Sequence, residues 1–271
     1  VIGGLVVKAI RETWRLTALF AIGLAMVLAL LTHILPPLQK GLDGLLAALP
    51  IVRTLLAVLL GSSADEPITA RMMQTVVWVH PVVLALIWGY ETALCTRYPA
   101  GEIDRGTIDI VFGLPVSRRG VFIAETIVWL LGGVVVFACG AAGHAWVASR
   151  RPADVATLEI GDSLKILGNL FAVFVAVGGV AQCVAAWCDR RSTAMLIIFA
   201  IVLASFLLHF LAPFWEPART VVGLSVLHYY QPARILERGL SVRDLAVLIG
   251  VGAAASFAAC ETVARRDFRA V

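Results

Sequence analysis

The sequence predicts an all-α, polytopic membrane protein with six transmembrane helices, and three observations lead there. Of 271 residues, 60% are hydrophobic and only 15% charged, and the mean hydropathy is +0.92, a composition typical of chains that sit in lipid. The apolar residues fall into runs of about 20, the length a helix needs to cross a hydrocarbon core of roughly 30 Å. Between the runs lie short segments carrying Arg, Lys, Pro and Gly, the residues expected where a chain turns at a membrane surface. Residues 1–271 read as a single transmembrane domain, with no internal repeat and no low-complexity segment.

The chain begins with Lys8, Arg11 and Arg15 around Trp14, which predicts an N-terminal interfacial helix on the inner membrane face. A first span is expected next, over about 16–35, ended by Pro36-Pro37. A signal peptide is the competing interpretation. It is disfavoured because the apolar run exceeds the usual h-region and no small-residue cleavage site comes after it. Over residues 42–60, Leu42, Leu45, Leu46, Leu49, Val52, Leu56, Leu59 and Leu60 make one apolar stripe, interrupted at Pro50. A stripe fits a helix lying in the interface better than a span, which is apolar all round.

The second span is expected over 72–94 and contains His80-Pro81 and Glu91. His80 is a candidate substrate contact, but a proline kink beside a locally satisfied imidazole is the simpler expectation. Glu91 falls near the inner end, within reach of the interface or of Arg97. The third span, over 121–147, carries Glu125 near Arg118 and Arg119. It also carries Gly132, Gly133, Gly140 and Gly143 for close helix packing, and His144 as an interface residue. A polar outer loop then leads to the fourth span, over 164–187. Its Asn169 and Gln182 must face other helices or a translocation path, since an unpaired amide in hydrocarbon is costly.

Residues 188–192 make a cytoplasmic turn, and the fifth span runs to 211. The prolines and aromatics of 212–241 predict short outer helices before the sixth span, over 242–262. Both termini are then expected in the cytoplasm. Lys8, Arg11, Arg15, Arg97, Arg105, Arg118, Arg119, Arg190, Arg191, Arg265, Arg266 and Arg269 fall inside, twelve of the 22 basic residues and the denser share per residue.

The densest charge lies in the central stretch Tyr98 to Gly120, Y-P-A-G-E-I-D-R-G-T-I-D-I-V-F-G-L-P-V-S-R-R-G. Pro99 and Gly101 end the helix of the second span, and Gly113 and Pro115 bound the stretch on its other side. Between them the spacing predicts one amphipathic helix over 102–112, with Glu102, Arg105 and Asp109 on one face and Ile103, Ile110, Val111 and Leu114 on the other. The alternative is an ordinary cytoplasmic loop with a solvated charge cluster.

Several function classes lack their signatures. There is no G-x-x-x-x-G-K-[ST] phosphate-binding loop. The histidines, His33, His80, His144, His209 and His228, show no metal-ligand spacing, and the five cysteines form no C-x-x-C pair. A net charge of +4 fits cytoplasmic cations of a membrane protein rather than a nucleic-acid surface.

The pattern E-x-x-x-G-T-I-D-x-x-x-x-x-P-V-S-R, with matching residues Glu102, Gly106, Thr107, Ile108, Asp109, Leu114, Pro115, Val116, Ser117 and Arg118, resembles the cytoplasmic coupling segment of type-2 ATP-binding-cassette exporter permeases. The short outer helices, with Tyr230 and Pro232, are similar to a pair that precedes the last span in that family. The resemblance implies a plasma-membrane export permease that is not itself an enzyme and holds no cofactor. Two copies of a separate ATPase would bind ATP and Mg and dock on Glu102, Arg105, Gly106, Thr107, Asp109, Pro115 and Arg118. A second permease chain, as homodimer or heterodimer, would complete the unit. His80, Asn169 and Gln182 remain as translocation-path or packing residues. The competing functions are an ion-coupled secondary carrier, disfavoured because the acids in spans, Glu91, Glu125 and Glu261, all lie near the inner ends rather than at mid-membrane, and an intramembrane enzyme.

Overall fold

In lipid the backbone must satisfy its own hydrogen bonds, and a chain this apolar does so as helices. The computed structural model describes residues 2–48, 56–58, 60, 70–113, 115–152 and 158–267, and no strand occurs among them. Six helical stretches are long and apolar enough to cross a bilayer: Ile2–Leu35, Met72–Cys95, Arg118–Ala148, Ile160–Trp187, Arg191–Leu211 and Val242–Arg265. They are called here the first to sixth spans, and the chain is membrane-embedded. Their bounds lie within a few residues of those expected, except at the start of the first.

The first helix is continuous from Ile2 to Ala48, roughly 70 Å at 1.5 Å per residue. This corrects two expectations. There is no separate N-terminal interfacial helix, because nothing between Trp14 and Leu16 breaks the helical run. Nor do Pro36-Pro37 end the helix, although the span itself ends at Leu35, where the sequence placed it. The stripe over 42–60 falls largely outside the described residues, and so does its interfacial or spanning character. Within it, Ala57 and Leu60 are buried.

The second span comes in pieces, Ala70–Gln74, Val76–Val79 and Pro81–Cys95. Pro81 has no N–H to continue the ladder, and His80 leaves helical geometry at ψ 131°. Its Nδ1 accepts the Val82 N–H at 3.3 Å, the locally satisfied imidazole that the sequence suggested. That bond takes Val82 away from the Trp78 carbonyl four residues back. The Tyr230 hydroxyl donates to that carbonyl instead, at 3.1 Å, and Tyr230 is fully buried as a result. Between the fifth and sixth spans lie the expected short helices, Glu216–Val221 and Pro232–Arg238, with 3-10 turns at Val222–Leu224 and Val226–Tyr229.

The first span packs most extensively on the third, and the fourth on the sixth, with the second against the first and fourth. Phe174 sits at the centre of the core, 5.1 Å from Trp129, 5.5 Å from Phe137 and 5.3 Å from Phe171, ring to ring. The two main seams close on glycine. A Cβ on Gly179 would lie 2.3 Å from the Gly252 carbonyl oxygen, and one on Gly143 would lie 2.4 Å from that of Ala25. Backbones this close give the van der Waals contact that replaces the hydrophobic effect between helices in lipid. The first span turns Leu19, Ile22, Met26 and Leu30 outward to lipid, and the fifth buries only Ala194, Ile198 and His209.

Gly179→Ala is expected to cost about 1–3 kcal/mol, because it strikes backbone rather than a side chain that can move. Gly250→Ala, with nothing within 4 Å of its added methyl, should be neutral or mildly stabilising. Thermal unfolding of the two variants in detergent checks the contrast.

Candidate docking segment and the charged end of the bundle

The segment after the second span does not form the single helix that its spacing suggested. Arg97–Gly101 is a wide turn with a cis Tyr98-Pro99 peptide, Glu102–Asp104 is one helical turn, and Ile108–Phe112 is another. Gly106 separates them with φ +68°, in the left-handed region that side chains avoid. Around it the Gly106 N–H bonds the Ile103 carbonyl and the Thr107 N–H the Glu102 carbonyl, both at 2.9 Å. This 5→2 and 6→1 pairing is a Schellman cap. The Thr107 hydroxyl also donates to the Glu102 carboxylate, and Arg105 pairs with the same carboxylate.

Ile103 and Ile108 are buried with Tyr98, Val121, Phe122, Ala186, Ala259 and Val263, where the third, fourth and sixth spans end. Burial pushes the Tyr98 phenol above its ordinary range, and its hydroxyl finds no partner among the described residues. Asp104, Asp109 and Pro115 are exposed, and Ile110 is 69% exposed. This corrects the expected faces. Ile108 replaces Ile110 as the second anchor, because the break at Gly106 rotates the second turn, while Val111 packs partly buried against the same cluster as expected. Leu114 lies outside the described residues.

Arg118 donates to the Arg266 carbonyl at 2.6 Å, and Ser117 caps the third span by accepting the Gly120 N–H at 3.0 Å. Arg119 pairs with Glu261 at 2.9 Å, and Arg266 bridges Asp189 and the Ala186 carbonyl. Both ends of the described chain therefore sit at the same end of the bundle as the central segment. At this end Cys188 is pushed up by burial and by Asp189, with Arg266 opposing.

A cavity of about 520 Å³ opens beside the segment, lined by Lys8, Glu12, Arg97, Glu102, Arg105, Thr107 and Arg191 among others. Arg97 is the hub. Its side chain is 12% exposed, and its guanidinium pairs with Glu12 of the first span and with Glu125 of the third, the latter at 3.5 Å. Sequence proximity had suggested Glu125 for Arg118 and Arg119, and Arg97 for Glu91. Instead Glu91 is wholly buried, and neither carboxylate oxygen has a hydrogen-bond partner among the described residues. It faces the backbone of Gly178 in the fourth span.

His80, Asn169 and Gln182 are not brought into one site. His80 caps the break in its own span. Asn169 and Gln182 are thirteen residues apart on one helix, roughly 20 Å. Gln182 Nε2 donates to Thr126 Oγ1 at 3.1 Å, tying the fourth span to the third. His144, expected at the interface, is buried instead, 2.8 Å from Thr32 Oγ1 and edge-on to Trp78. His228 stands against Tyr229, and no group of three His, Cys, Asp or Glu poised for a metal occurs among the described residues.

Arg97→Gln leaves two carboxylates without their shared partner and is expected to destabilise the bundle by about 1–3 kcal/mol, partial exposure moderating the loss. Lys8→Ala, removing an exposed 3.6 Å pair with Glu12, should cost under about 0.5 kcal/mol. Unfolding midpoints of the purified variants measure both. No family model, curated protein or solved structure matches the chain.

Proposed function

We propose that this chain is the membrane-spanning permease subunit of a type-2 ATP-binding-cassette exporter, with the segment 102–118 as the surface on which a separate ATPase docks. The observation that carries this is the two-sidedness of the segment. Ile103 and Ile108 clamp it to the ends of the third, fourth and sixth spans, while Asp104, Asp109, Ile110 and Pro115 face away from the bundle. A lever needs that combination: a partner pushes on one face and the other carries the displacement into the spans.

In this proposal the charged end lies in the cytoplasm, consistent with the cations gathered there. Glu102 and Thr107 hold the turn around Gly106 in shape, so their role is to present the surface rather than to touch the partner. Contact falls to Asp109 and Ile110, with Pro115 and Arg118 setting the direction in which the chain re-enters the third span. Two ATPases would supply ATP and Mg binding and hydrolysis. A second permease chain would complete the translocation path.

A secondary carrier is the second possibility, and Glu91 favours it. A buried carboxylate inside a span, facing the Gly178 backbone, is the kind of group that binds a coupling proton or cation. Uptake or efflux driven by a pH gradient in proteoliposomes lacking any ATPase, and lost in Glu91→Gln, would select the carrier.

The deciding experiment is affinity purification of the chain from its native membrane. An ATP-binding-cassette ATPase is expected with the wild type and at least about tenfold less with Asp109→Arg, Ile110→Glu, the loss of one well-packed anchor. Absence of any such ATPase from the wild type, even after crosslinking, would overturn the exporter proposal.

A further inference from the structure

The fifth span meets the second across an open apolar groove of about 690 Å³. One wall is the Pro81, Ala85, Trp88 and Thr92 face of the second span, and the other is the fifth-span face that includes Met195 and Phe199. From Pro81 to Thr92 the groove runs about 17 Å, close to one leaflet's share of a roughly 30 Å core. Its two ends differ. At one end it is lined by Thr92 and Ser192, whose neighbours in sequence, Ala93 and Arg191, line the charged cavity.

Arg191 differs from the other cations of that cavity. Lys8 and Arg97 share Glu12, Arg97 also has Glu125, and Arg105 has Glu102. The Arg191 guanidinium donates to the Ala93 carbonyl at 2.8 Å and to Thr96 Oγ1 at 3.3 Å, both neutral acceptors. No ion pair to Arg191 occurs among the described residues. Asp104 acts on it from a distance, opposed by Arg97 and Arg105. A guanidinium has five N–H donors, so three of them are left for an anion. An apolar trench one leaflet long, with an arginine that has no ion pair among the described residues one position beyond its Ser192 end, has the shape and charge of a phospholipid site.

We propose that the seam between the second and fifth spans holds one anionic phospholipid, its acyl chain in the groove and its phosphate on Arg191. The lipid would fill the poorly packed flank of the fifth span and supply the negative charge that the protein leaves out. The site stands independently of the transport function proposed above.

The chain purified in mild detergent, titrated with phosphatidylglycerol and followed by native mass spectrometry, tests this. One phosphatidylglycerol per chain is expected, with affinity about tenfold above that for phosphatidylcholine and about tenfold lower in Arg191→Gln. Ala85→Phe fills the groove from an exposed position and leaves Arg191 intact, so it should weaken binding without the folding risk of losing the Arg191 hydrogen bonds. Equal binding of phosphatidylcholine overturns the proposal, as does inorganic phosphate that competes fully while Ala85→Phe has no effect. Loss of a dimer on Ala85→Phe, with no lipid adduct in the wild type, also overturns it, in favour of a second copy in the groove.

Discussion

The guanidinium of Arg97 ties together elements that lipid alone would leave free to slide. Two apolar helices gain little from one depth over another, because lipid tails are as apolar as the partner helix. A cation held between Glu12 of the first span and Glu125 of the third removes that freedom, since any slippage leaves a partly buried charge unpaired. Arg97 also lies where the second span passes into the exposed segment. Three helices are therefore registered at the point from which the segment is suspended.

The segment takes its shape from that anchorage and from one glycine. Without Gly106 the run from Glu102 to Phe112 could continue as a single amphipathic helix with Ile110 turned to the bundle. With the cap, the second turn is re-aimed so that Ile108 buries and Ile110 does not. In the proposed docking, a large apolar side chain held outward on a clamped turn would leave little ordering for a partner to impose, because its backbone is already fixed. The Tyr98 and Ile103 contacts on the other side would carry displacement of this turn into the ends of the third and sixth spans.

Much of the fold was legible because it depends on local properties. Apolar runs of sufficient length located five of the six spans to within a few residues, and His80-Pro81 marked the break in the second. The short helices before the sixth span were legible from their prolines and aromatics. Gly106 carries a signal of its own, since a Gly-Thr pair four residues into a helical pattern is a C-cap signature, and the spacing of the charges by itself does not register it. The continuous first helix is not legible locally, because Pro36-Pro37 favour a stop and the basic residues around Trp14 favour the membrane surface, while neither by itself ends a helix.

By itself the sequence determined that this is a bundle of membrane helices, because in hydrocarbon the choice between helix and anything else depends on each run's own hydrogen bonds and hydrophobicity. Only the tertiary structure decided which charges meet. Glu12 and Arg97 are 85 residues apart, and no spacing rule relates them. Proximity in sequence points Glu91 and Glu125 to partners that they do not have, and it gives no sign of the His144–Thr32 pairing. Burial and ion pairing depend on distances between helices, and those distances are set where glycines such as Gly143, Gly179 and Gly252 let two backbones touch.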